Sequence, residues 1–240
     1  MLRPFAAILI LAVFAAPVRG ADDGFADLFD GVSLAGWTQR GGKAIYTIDA
    51  KAEGGPQIVG TSVKGTPNSF LCTERDYTDF VLEFEVQVDP VLNSGVQFRS
   101  NCYDKACTMT LVDGSGGTYT KHCAAGVVHG YQAEIDPTPR AFSGGIYDES
   151  RRGWLLKPEG SAYAAARAAF DPAGWNRYRI EARGDSIKTF INGVAVADLQ
   201  DDLTATGFIA LQVHAVGTPE QVGKQVRWRN LRLKELATAE

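Results

Sequence analysis

The chain has 240 residues, 45% apolar and 22% charged, with a formal net charge of −4. That is enough apolar residue for one sizeable core, and the basic side chains are too few and too scattered for a nucleic-acid surface, which needs clustered Lys and Arg. The densest basic spot is the pair Arg151-Arg152, and beyond the first twenty residues no apolar run approaches membrane-spanning length.

In residues 1–20, Arg3 precedes an apolar run from Phe5 to Val18 and a small residue, Gly20, ends the stretch. This is the pattern of a secretory signal peptide, with no Cys at the junction to take a lipid. The expected mature chain, 21–240, is one domain in the periplasm or outside the cell. Losing Arg3 and Arg19 lowers its formal charge by two, to −6.

The mature part reads as strand after strand. Gly24 to Trp37 carries apolar anchors and an Asp30-Gly31 turn. Ile45 to Asp49, Gln57 to Val59 and Asn68 to Thr73 follow as short strands. Phe80 to Val88 alternates, with Phe80, Leu82, Phe84, Val86 and Val88 inward and Glu83, Glu85 and Gln87 outward. Such alternation marks a half-buried antiparallel strand. Asn93 to Arg99 repeats it, with Val96 and Phe98 on one face and Gln97 and Arg99 on the other.

The segment 101–128 is rich in Gly, Thr and Ser and holds Cys102, Cys107 and Cys123; the fourth cysteine is Cys72. In an exported chain a loop of this kind is expected to be closed by at least one disulfide. The spacing fixes no connectivity, and it lacks the C-x-x-C of a zinc site.

His129 to Glu149 is the most informative stretch. Tyr131, Ala133 and Ile135 share one strand face, and Gln132, Glu134 and Asp136 share the other. Pro137, Pro139, Gly144 and Gly145 then turn the chain back into Ile146 to Asp148. Trp154 and Lys157 sit in the next loop, and Ala162 to Ala169 has the one helix-like composition. Trp175 to Arg183, Ser186 to Ile191 and Val194 to Asp198 are strands, the last two joined by Asn192-Gly193 as a two-residue hairpin turn. Phe208 to His214 and Gln225 to Leu233 complete an all-β sandwich of two antiparallel sheets.

The segments GFADLFDGVSLAGW, FLCTERDYTDFVLEFE, NSGVQFR, HGYQAEIDP with SGGIYDE, WNRYRIEARGDSIKTFINGV, and FIALQVH with VRWRNLRL stand in an order that resembles the 3-keto-disaccharide hydrolase family. The resemblance covers residues 24–236 and departs from the family at the Cys-bearing insertion, 101–128. It implies a concanavalin A-like jelly roll acting on small sugars whose C3 hydroxyl a separate sugar 3-dehydrogenase has already oxidised.

A C3 ketone acidifies the C2 hydrogen, so a base can take that proton, the enolate can expel the C1 substituent, and water can add afterwards. Such a route asks for a base, a donor or cation at the enolate oxygen, and an acid for the leaving group. The expected catalytic residues are Glu134 as base, His214 as its acid/base partner, and Asp136. Arg99, Gln97, Gln132, Gln212, Tyr147, Trp154 and Lys157 are the expected sugar-binding residues. The chemistry needs no cofactor, although Glu134, Asp136 and His214 are also compatible with a divalent metal. Arg99 equally suits a purely structural ion pair, and Asp148 equally suits the turn beside it. A carbohydrate-binding module without catalysis and a conventional two-carboxylate glycosidase are the competing functions.

Overall fold

Period-two alternation of apolar and polar residues recurs along nearly every strand, and it assembles two sheets face to face. The computed structural model describes residues 23–112 and 117–237, so the signal peptide expected over 1–20 lies outside the described residues. The first sheet runs, in spatial order, β15 (Val194–Gln200), β14 (Ser186–Ile191), β13 (Asn176–Arg183), β6 (Phe80–Val88), β17 (Gln225–Glu235), β4 (Gln57–Thr61) and β3 (Ile45–Asp49), with β1 (Ala26–Asp27) also on β17. The second runs β12 (Gly153–Leu156), β11 (Ile146–Glu149), β10 (Val128–Ile135), β7 (Ser94–Cys102), β16 (Phe208–Val213), β5 (Ser69–Thr73) and β2 (Trp37–Gly41). Each ladder is antiparallel, as in a jelly-roll sandwich.

The expected core residues Phe84, Val86, Phe98, Ile135, Ile180, Leu211 and Val213 all belong to one buried cluster between the sheets. Aromatic rings tie it together, with Phe84 stacked on Tyr178 at 5.1 Å and Phe98 on Tyr131 at 5.6 Å. Each such side chain contributes roughly 1.5–3 kcal/mol through its burial. Asn192 and Gly193, both at positive φ, join β14 to β15 as expected. The helix-like segment is a single short α-helix, α1 (Ala164–Ala169). Among the described residues no helix is long and apolar enough to cross a membrane.

The insertion departs from expectation. It is an ordered hairpin, β8 (Cys107–Val112) and β9 (Thr118–Cys123), which forms no ladder with either large sheet. All four cysteines are unbridged in the structure, although Cys107 and Cys123 face each other across the hairpin. Hydrogen bonds dock it instead. Tyr119 Oη donates to the Arg151 carbonyl at 2.8 Å, and Tyr103 N donates to the Val127 carbonyl at 3.1 Å. The Tyr103 ring also stacks on His129 at 4.0 Å.

Strands β10, β7 and β16 are direct neighbours, as the pairing of their polar faces requires. The outward face of these strands and the neighbouring β5 has two halves. Gln97, Gln132, Glu134 and Gln212 gather on one, while Phe70, Cys72, Val128, Phe208 and Ala210 form a separate apolar cluster on the other.

Candidate active site on the outer face of the second sheet

Glu134 is held in place from both ends of its peptide unit. Its N–H donates to the Gly145 carbonyl at 3.0 Å, and its carbonyl accepts from Gly144 N at 2.8 Å and from Tyr178 Oη at 3.0 Å. Gly144, at φ 78°, makes the turn that allows this closure. The outward-pointing carboxylate is only 4% exposed. It accepts from Asn93 Nδ2 at 2.7 Å and from Gln132 Nε2 at 2.9 Å. Arg140 Nη2 stands 3.3 Å away.

Burial raises the Glu134 pKa to about 7; the hydrogen bonds from Asn93 and Gln132 and the Arg140 charge oppose the rise, and the Asp136 charge adds to it. A carboxylate poised near neutrality and locked by its backbone is suited to general-base work.

Three glutamines set the floor. Gln132 Oε1 accepts from Gln97 Nε2 at 2.7 Å and from Gln212 Nε2 at 2.8 Å, which turns its Nε2 toward Glu134. Gly95 lies in register with both Glu134 and Gln212, and a Cβ there would come within 2.4 Å of the Gln132 side chain. Its bare backbone therefore makes room for the amide that aims at the carboxylate.

Above this floor lies a cleft of about 360 Å³ bordered by Asn68, Asn93, Gln132, Glu134, Arg140, Tyr147, Glu149, Trp154 and His214. Trp154 meets Tyr147 edge-on at 5.3 Å and Phe142 likewise at 5.3 Å. Arg140 is fixed by Asp136 at 2.8 Å, and its guanidinium lies over the Phe142 ring at 5.0 Å. His214 sits at the rim, exposed, with Nδ1 2.8 Å from the Ala215 carbonyl.

Of the ten residues expected at the site, Glu134, His214, Gln132, Tyr147 and Trp154 border the cleft. Gln97 and Gln212 lie beneath it as supports. Asp136 does not open into it. Its carboxylate is occupied by Thr138 Oγ1 at 2.6 Å, Arg140 Nε at 2.8 Å and Phe142 N at 3.2 Å. Burial works to raise its pKa, but these bonds outweigh burial and hold it below the ordinary value.

Arg99 is placed elsewhere. A bulge with Arg99 at φ 45° interrupts the β7 pairing on both sides, and the side chain runs away from the cleft to Asp79 and the carbonyls of Thr78 and Gly184. Lys157 pairs loosely with Glu159 at 3.9 Å and stays outside the cleft. Asp148 faces the other way from Tyr147 and is taken by Arg151 and Arg152 at 2.7 and 2.6 Å. With Asp136 so engaged, Glu134, Asp136 and His214 do not converge as a metal-binding trio. Among the described residues no group of three His, Cys, Asp or Glu side chains converges to hold a metal.

Asn68, Asn93, Arg140 and Glu149 are the cleft residues that sequence reasoning missed. The signal for Glu149 was available, since strand alternation puts it on the same face as Tyr147. Burial raises its pKa above the ordinary value, so the cleft holds two protonatable carboxyls. Arg140 is the cation nearest Glu134, and its removal should let the Glu134 pKa climb further. In Arg140→Leu the rising limb of kcat/KM against pH is expected to move to higher pH than in wild type; an unmoved limb would separate Arg140 from the ionising group.

Among solved structures, the chain resembles a protein from Parabacteroides distasonis ATCC 8503 provisionally named a glycosyl hydrolase. They share 14% identity over 89% of this chain and 94% of that one, at a TM-score of 0.52. It also resembles a Bacillus subtilis protein of unknown function with a galectin-like fold, at 12% identity over 85% and 90% of the two chains and a TM-score of 0.52. At such identity the likeness is one of fold. No curated protein matches the chain. The family model described as a 3-keto-alpha-glucoside-1,2-lyase-like domain matches residues 24–234, so the chain belongs to that carbohydrate-related family.

Proposed function

We propose that the protein cleaves the glycosidic bond of 3-keto-glucosides, 3-keto-disaccharides among them, and that Glu134 takes the proton from C2. The observation that carries this reading is a single buried carboxylate, poised near neutral pH, at the floor of a polar cleft in a member of this family. When the C2–H bond breaks, its electrons form the enolate of the C3 ketone, and the proton goes to Glu134. The Arg140 guanidinium, beside that carboxylate and partly open to solvent, faces the charge that develops. As the ketone re-forms, C1=C2 becomes a double bond and the C1–O bond breaks. The departing oxygen takes a proton from Glu149 or His214, both of which border the cleft. Water adding across C1=C2 then releases a 3-keto sugar, so the sum is hydrolysis. Trp154 and Tyr147 supply flat apolar faces for the sugar ring.

The substrate implies an upstream sugar 3-dehydrogenase, and the apolar leader at 1–20 implies action in the periplasm or outside the cell. In that oxidising setting we propose that Cys107 and Cys123 join. Counting thiols on denatured, unreduced protein should give two per chain; four would remove this part of the reading. The decisive assay offers purified protein a 3-keto-α-glucoside of glucose alongside its unoxidised parent. Cleavage of the ketone alone is expected. Cleavage of the parent would indicate a conventional glycosidase, and binding of either without turnover a carbohydrate-binding module.

A further inference from the structure

A second cavity, of about 590 Å³, adjoins the cleft, and the two share Asn68 and Glu149 as common walls. Its character is different. Phe70 and Val128 form its floor and belong to the separate apolar cluster on the outer face of the second sheet. Pro67, Val127 and Ala215 close its sides. Phe70 stands directly opposite Gln212 in the ladder, so the apolar floor begins where the glutamine floor of the sugar cleft ends.

A sugar presents hydroxyls around its whole rim; Asn68, Glu149 and Ser150 can meet those on one side of the cavity, but Pro67, Phe70, Val127, Val128 and Ala215 offer the rest no side-chain partner, at a cost for each one desolvated. A flat apolar group loses nothing there and gains roughly 25 cal/mol per Å² of surface it buries. Volume is no obstacle, since small-molecule pockets commonly span about 300–1,000 Å³. Ala125, Gly126, Val127 and Val128 come from the end of the hairpin insertion, so this chain builds one side of the cavity from the segment in which its sequence departs from the family resemblance.

We infer that this cavity is the leaving-group subsite and that it takes an aromatic aglycone in preference to a second sugar. The inference rests on the cleavage reading for the neighbouring cleft. With the 3-keto ring over Glu134, the glycosidic oxygen lies toward the shared wall, where Glu149 can hand it a proton, and the aglycone continues over Phe70.

The experiment compares 3-keto-α-glucosides of phenol and of glucose on wild type and on Val127→Asp. Val127 is only part-buried, so this variant is expected to fold, with its melting temperature as the check. In wild type the phenyl substrate should show a KM at least about tenfold below that of the keto-disaccharide. Val127→Asp should raise the phenyl KM by about tenfold and so erase its lead over the disaccharide, whose leaving sugar gains little from an apolar wall. Equal KM values in wild type, or a phenyl KM indifferent to Val127→Asp, would overturn the subsite while leaving the cleavage reading intact. If neither ketone is cleaved, the cleavage reading fails, and titration with 1-naphthol decides the cavity alone. Amide shifts at Phe70, Val127 and Val128 that vanish in Val127→Asp support it, and their absence in wild type overturns it.

Discussion

Glu134→Gln should lower turnover of a 3-keto-glucoside by about 10²–10⁴-fold, the usual loss when a proton-transfer group is removed, and should do so while making the protein more stable above neutral pH. Glutamine keeps the shape and accepts one of the two hydrogen bonds, from Asn93 or Gln132, but cannot take the C2 proton. The stability half follows from linkage. The folded-state pKa of about 7 exceeds the ordinary glutamate value of 4.5, so the native state holds this proton more tightly than the unfolded chain does. Stability from this group is therefore present below pH 4.5 and declines as pH rises toward 7, by on the order of 3 kcal/mol for a shift of that size. Glutamine has no such dependence. Melting curves for wild type and Glu134→Gln should run in parallel below pH 4.5 and diverge in favour of the variant up to pH 8. A rate near wild type, or a stability difference flat in pH, would refute the assignment. In wild type, kcat/KM should rise with pH through about 7, because the base acts when ionised.

Arg99→Met should produce the largest loss of stability, about 3–5 kcal/mol, as expected when one partner of a buried ion pair is deleted. Against a typical total of about 5–15 kcal/mol that is a large share. Arg99 is 1% exposed and sends three donors to two different segments: Asp79 Oδ1 at 2.9 Å and the Thr78 carbonyl at 2.7 Å in one, the Gly184 carbonyl at 2.7 Å in the other. It clamps the β5–β6 connection and the β13–β14 turn to β7. Methionine would leave Asp79 charged, buried and held only by Gly184 N. Adding Asp79→Asn removes that charge and should recover part of the loss. Because the side chain leads away from the cleft, the fraction still folded should keep its KM. A KM that rises tenfold with an unchanged melting temperature would instead return Arg99 to the sugar.

The same residue shows where reading a sequence stops. Alternation along NSGVQFR put Arg99 beside Gln97 on the polar face, and this logic placed Val96, Phe98, Ile135 and Val213 correctly in the core. It failed at one position because a bulge shifts the register, and no residue type in the segment announces positive φ. The adjacency of β7, β10 and β16 was legible because each carried a polar face beside an apolar one. Arg140 was not, since it reaches Glu134 from a turn and its position depends on Asp136 and the Phe142 ring. The shape of 101–128 was hidden for a different reason: its composition reads as an open loop, whereas its Thr and Tyr residues pair as a hairpin docked by hydrogen bonds.

That hairpin owes nothing to the ladders of the two large sheets. Residues can be added to or lost from β8 and β9 without slipping the register of any strand that carries Glu134, Gln132 or Gln212, since loop length costs little entropy. If the apolar cavity seats the leaving group, the proton-abstracting sheet and one side of that subsite are thus carried on separate stretches of the chain. A lineage could exchange one hairpin for another and change its diet in a single step while the proton-abstracting sheet stayed as it was. The same exchange made in the laboratory, grafting a relative's segment between Asn101 and Val128, would move substrate preference as a block.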